Sequence, residues 1–160
     1  MGGMATTLPT SGPIETSVYP SISYEEFGRL LRKYGYAAEA LIDRNRFGYR
    51  TLAEPCFRAW MQTPFRGRPD EFASVFLHGQ VRLPFEVTAA TLHDINWQMM
   101  VAHVAANRRG NLIASHTIVV CGGITEYYLR GQLWYWTKDL ERIRAEVCKQ
   151  TRKAAGSTLH

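Results

Sequence analysis

Between Leu129 and Val147 the apolar residues Leu129, Leu133, Trp136, Leu140, Ile143 and Val147 recur by alternating steps of four and three, with Lys138, Glu141, Arg142 and Glu146 between them. That spacing keeps one stripe on one side of a helix. Thr125 offers a cap in front of it, and about 24 residues at 1.5 Å each predict a helix of roughly 36 Å, long enough to cross a sheet. Lys138 with Glu141, and Arg142 with Glu146, are spaced for weak ion pairs on its polar side. A second helical period, Phe27, Leu30, Leu31 and Tyr34, follows the capping box Ser23-Tyr24-Glu25-Glu26 and stops at Gly35, which predicts a helix over 24–34. A third, with Leu92, Ile95 and Met99 behind a Thr88 cap, ends near 97–99.

Elsewhere the period is two. Residues 38–43 and 49–53 flank the turn Arg44-Asn45-Arg46-Phe47-Gly48, and in 56–62 Phe57, Ala59 and Met61 alternate with Arg58, Trp60 and Gln62. A loop over 64–70 leads to a long strand over 72–83, where Gly79 marks a bulge or a close backbone approach and Pro84 stops the run. Residues 101–105 and 112–120 flank Asn107–Asn111, an antiparallel pair that Cys121-Gly122-Gly123 releases into the long helix. The order α-β-β-β-α-β-β-α predicts an α+β fold: an antiparallel sheet of about five strands with helices packed mainly on one face. Residues 1–20, rich in Thr, Ser, Gly and Pro, are expected as a flexible leader, 21–150 as a single domain, and 151–160 as a flexible basic tail.

Composition narrows the class. A chain of 160 residues with 46% hydrophobic content can bury a core without disulfide or metal. Cys56, Cys121 and Cys148 are odd in number and lack a CxxC spacing, so reduced, buried or half-buried thiols are expected. No apolar run approaches the ~18 residues of a membrane span and no secretory signal opens the chain, so a cytoplasmic location is expected. The formal charge of +5 permits an acidic partner. Arg44, Arg46, Arg50, Arg58, Arg66 and Arg68 read mostly as turn residues interrupted by acids, so nucleic-acid binding through arginine-rich turns is a minor alternative.

The strand, Gly122-Gly123, the Ile124-Thr125 start and the long helix with Trp136 near its middle resemble the end of YbjN-domain proteins. Asn96, an extended segment and the Asn107–Asn111 turn are similar to that family's central element. The resemblance implies a fold like that of type III secretion chaperones, commonly dimeric, in a bacterial family of sensory transduction regulators without an established enzymatic activity.

Candidate chemistry is sparse. His103 and His116 become cross-strand neighbours if Ala105 pairs with Ala114, but zinc wants a third and usually a fourth ligand. Cys121, at a helix start, could carry a lowered pKa, yet no base accompanies it. There is no GxGxxG, GxxxxGK[ST], HExxH, serine elbow or paired carboxylate set, so no catalytic, metal or cofactor residues are assigned. The expected function is a non-enzymatic protein-binding module, chaperone-like or regulatory and homodimeric. Its interface candidates are Leu92, His93, Asn96, Trp97, Met100 and Trp134. The alternative is a small-ligand or enzymatic pocket using Cys121, His103 and His116.

Overall fold

The computed structural model describes residues 18–44, 46–83 and 86–157. Most of the expected leader, Asn45 of the first hairpin turn, the strand-stopping Pro84 and residues 158–160 lie outside them. The elements are β1 (Val18–Tyr19), β2 (Ile22–Ser23), α1 (Tyr24–Lys33), β3 (Ala38–Asp43), β4 (Arg46–Thr51), β5 (Arg58–Phe65), β6 (Arg68–Val81), α2 (Ala89–Gln98), β7 (His103–Ala106), β8 (Leu112–Val119), β9 (Ile124–Thr125) and α3 (Glu126–Ser157). The described residues are thus α+β, with an antiparallel sheet and three helices. That sheet has seven strands rather than about five, in the order β3-β4-β5-β6-β8-β7 with β2 also on β6, while β1 and β9 form a separate pair.

Of the additional strands only β2 joins this sheet, while β1 and β9 pair apart from it; each is two residues, too short to show a period, and the sheet's other additional strand arises because β3 and β4 form a full hairpin. The expected loop over 64–70 is instead a hairpin: β5 and β6 run through Pro64 and Pro69 and turn only at Arg66 and Gly67. Both turn residues have positive φ, 44° and 76°, the conformation whose twist matches the flanking strands. Val18–Tyr19 pair with β9 inside the expected leader, and α3 runs 32 residues, through 151–157 of the expected tail.

α1 begins where its cap predicts, with Ser23 Oγ accepting from the Glu26 N–H at 3.1 Å. The Glu26 carboxylate turns to Arg29, which donates at 2.9 and 2.6 Å. Gly35, at φ 87°, follows the Tyr34 cap. All three helices lie on one face of the sheet. Every stripe residue of α3 from Leu129 to Val147 is buried. Trp136 meets Phe57 edge-on at 6.0 Å, and a Cβ on Gly79 would stand 2.8 Å from Leu140 Cδ2. Gly79 is therefore the close-approach site, and its register with Ala114 is unbroken.

Gly28 makes the same kind of contact for α1. A Cβ there would enter the ring of Tyr49, 2.8 Å from Cε1. Tyr49 is buried, stacked on Tyr24 at 4.7 Å, and donates to the Tyr24 carbonyl at 3.0 Å, so it has no room to yield. A helical Gly→Ala change ordinarily stabilises by up to about 1 kcal/mol. Gly28→Ala is expected to destabilise by about 1–3 kcal/mol, seen as a lower thermal midpoint; an unchanged or higher midpoint would show that α1 is free to move off β4.

Candidate binding surfaces

α2 buries only Ile95 fully, and two polar side chains secure its exit. Asp139, on α3, is 0% exposed. Its Oδ2 accepts from the N–H groups of Met100, Val101 and Ala102 at 2.9, 2.8 and 2.9 Å, and its Oδ1 accepts from Met100 at 3.0 Å. Arg142 stands 3.4 Å from Oδ1. Three successive donors around one carboxylate form an anion nest, so the chain crosses α3 in a fixed path. Asn96 secures the other side, with Nδ2 donating to the carbonyls of Leu92 at 3.0 Å and Val104 at 2.8 Å, and Oδ1 accepting from the Val104 N–H at 2.8 Å. Val104 lies in the edge strand β7, where alternate residues turn both backbone groups outward. The Asn96 amide occupies those two groups and blunts the edge.

On this fixed backbone Trp97 is 83% exposed and Met100 is 52% exposed. His93 is exposed one turn before Trp97 and stacks on it, with ring centroids 6.5 Å apart. Of the six interface candidates, His93 and Trp97 thus share one surface, and Met100 is exposed two residues beyond the end of α2. Leu92 packs against the core and Asn96 does structural work. Trp134 lies half-buried on α3, edge-on to Tyr135 at 5.0 Å.

His103, His116 and Cys121 are not brought together. The five-residue loop 107–111, closed by the Asn107 N–H on the Asn111 carbonyl, pairs Ala105 with Ile113 rather than Ala114. Asn107 Oδ1 reinforces it by accepting from Arg109 and Asn111. His103 consequently faces outward opposite Ser115, whereas His116 faces α3 and meets Gln132 at 2.8 Å. All three cysteines are exposed, which corrects the expectation of buried thiols. Cys121 sits in a turn, Cys148 follows the stripe residue Val147 on the helix's outer side, and burial with nearby Glu54 raises the pKa of Cys56. Among the described residues no group of three or more His, Cys, Asp or Glu is placed to hold a metal ion. The crevice between α2 and α3, walled by Ile95, Leu112 and Val147, leaves no room for a water molecule.

A second polar junction closes the opposite end. Glu126, buried at the start of α3, takes Lys33 at 2.6 Å and the Tyr19 hydroxyl at 3.5 Å, while Tyr34 donates to its carbonyl at 3.3 Å. Burial, then Glu126, raises the Tyr34 pKa, so this phenol stays protonated.

The sheet face away from the helices carries registered rows. Glu39, Arg50, Arg58, His78, Ser115 and His103 stand opposite one another in turn across β3, β4, β5, β6, β8 and β7. Beside them run Leu41, Gly48, Trp60, Phe76 and Thr117. Trp60, expected on the polar side of its strand, is only 7% exposed: its ring lies against Gly48, where a Cβ would stand 2.9 Å from Cε3, and the Arg46 guanidinium lies over it, 5.1 Å from the centroid. Arg46, Arg50, Arg58 and Arg68 are strand residues, not turn residues. A scan of this chain against protein-family models finds no match, and a search of curated proteins finds none. Among the described residues no helix is long and apolar enough to cross a membrane.

Two predictions follow the buried polar groups. Asp139→Ala leaves three backbone donors without their acceptor, at about 1–3 kcal/mol each, so a loss of at least about 3 kcal/mol is expected in urea denaturation. Hydrogen exchange at residues 100–102 should accelerate with it; unchanged protection there would mean the nest is not what fixes the segment. Burial, and next the Arg58 guanidinium, lower the pKa of His78. The unfolded chain therefore binds this proton more readily, and the stabilising contribution is full above about pH 6.5 and declines as pH falls through it. His78→Gln should flatten the fall in urea midpoint between about pH 7 and pH 5, and an identical fall in the variant would assign it to other groups.

Proposed function

We propose that this chain is a non-enzymatic protein-binding module, chaperone-like or regulatory, that self-associates as a homodimer through the exit of α2. The observation that carries the reading is Trp97, a large aromatic side chain 83% exposed on backbone held by Asp139 and Asn96. A rigid, solvent-facing aromatic ring loses little entropy on burial and makes an efficient anchor. Met100 and His93 widen the patch, and a two-fold axis beside it would place each Trp97 against the partner's apolar surface. The β7 edge is not offered for sheet extension at Val104, because Asn96 occupies it. The reading extends the resemblance to type III secretion chaperones, in which a dimer presents further surface to a protein client.

Light scattering across about 1–100 µM protein tests this. Wild type is expected to dimerise, and Trp97→Ala to weaken dimerisation at least about 30-fold, the equivalent of 2 kcal/mol, with little change in thermal midpoint. A wild type that stays monomeric throughout, or a variant that dimerises equally well, sinks the proposal.

A further inference from the structure

We propose that the sheet face left open by the helices binds single-stranded nucleic acid, with phosphates on Arg50 and Arg58, the ring N–H groups of His78 and His103 as further donors, and bases against Phe76 and the Arg46 guanidinium that covers Trp60. The register makes this a continuous surface. Arg58 stands opposite His78, His78 opposite Ser115, and Ser115 opposite His103. Neighbouring strands lie about 4.8 Å apart, so the row runs for several nucleotide lengths.

Charge on this face is asymmetric. Over 46–50, 58–62, 74–80, 113–119 and 103–105 the outward side chains include three arginines and two histidines and no carboxylate. Glu39 and Asp43 are confined to β3 at the edge, where Glu39 accepts from Arg50 Nε at 2.8 Å. Arg58 is exposed. The neighbouring row supplies what a polyanion site alone lacks. Phe76 is half-buried between Trp60 and Thr117, 6.4 Å from the His78 ring, and Arg46 lies over Trp60. Arginine guanidinium groups and aromatic rings both receive unstacked bases, while Gln62, Ser115 and Thr117 add uncharged donors and acceptors. A duplex hides its base faces and would use the charges alone. An acidic peptide would use the charges but leave Phe76 and Thr117 without a partner of their own chemistry.

Fluorescence anisotropy on the full chain, with labelled oligo-uridine and oligo-thymidine of about 12 nucleotides, tests the proposal. Binding at about 50 mM salt is expected, with an affinity that falls as log salt rises by about 0.7 per phosphate held, or a slope of about −1.4 for the two phosphates on Arg50 and Arg58. Arg58→Glu should weaken binding at least about tenfold and Phe76→Ser at least about fivefold, both variants showing wild-type circular dichroism. Lys149→Glu, the same charge change on α3, should stay within about twofold of wild type. The proposal is overturned by no binding at low salt, by duplex binding as tight as single-strand binding, or by displacement with polyglutamate. It is equally overturned if Arg58→Glu and Lys149→Glu weaken binding alike, which marks diffuse charge, or if Arg58→Glu leaves binding unchanged.

Discussion

The arrangement of this fold depends on one carboxylate. Asp139 is fully buried on α3, and three consecutive backbone N–H groups from the exit of α2 converge on it. Removing a carboxylate from water is costly, and the site offsets that cost with three charge-assisted hydrogen bonds and the Arg142 guanidinium. Such an expense makes sense only where apolar burial is insufficient. α2 has that problem, since Ile95 is its one fully buried side chain. A ten-residue helix with so narrow an apolar face gains too little from the core to hold its position. Asp139 and Asn96 hold it instead, from below and from the sheet edge.

The same helix α3 decides what the rest of the sheet must be. Its stripe from Leu129 to Val147 is wholly buried, and Leu140 comes so close to β6 that a Cβ at position 79 would force its side chain to shift. α1 repeats the device, with Gly28 admitting the Tyr49 ring. Glu126 ties the two helices through Lys33 and Tyr34 at the far end. With three helices committed to one face, the other is left to cross-strand side-chain pairs, so the outward rows obey the register of the strands rather than the demands of a core.

These causes were unevenly legible in the sequence. The α3 stripe and the Ser23 and Thr88 caps could be read directly, because each is a local pattern with one physical solution, whereas Gly79 allowed either a bulge or a close approach and the unbroken register selects the second. Asp139 could not. It lies three residues after Trp136 and four before Ile143, a helical spacing that places it beside the apolar stripe, yet in isolation it reads as one more charge on a solvated side. Its ligands are backbone groups, which carry no side-chain signature. The His103 and His116 pairing failed for a related reason: a register depends on loop length to the residue, and the side chain of Asn107 decides that length. The alternation assigns Trp60 to the polar side, but Arg46, fourteen positions away in sequence, covers it from the neighbouring strand. The interface candidates that share a surface, His93 and Trp97, follow from α2 alone, whereas the basic row on the open face draws one residue from each of several strands and exists only after the sheet is assembled.

The two outward surfaces differ in the physics that would make them bind. Trp97 is an apolar group held in water by a rigid support, so the free energy of the proposed association would come from burial and be insensitive to salt. The open face is a set of charges and half-covered rings in strand register, and its association is governed by counterion release and stacking. They also lie on different sides of the sheet edge at β7, where Asn96 on one side takes both backbone groups of Val104 and His103 faces the other. A ligand on either surface therefore meets β7 without competing for the same atoms. Because the Asp139 nest fixes the chain immediately before β7, the position of His103 at the end of the basic row and the position of Trp97 are set by the same three hydrogen bonds. Loosening that nest would blur both surfaces together, which makes a buried residue that touches neither of them the common determinant of their geometry.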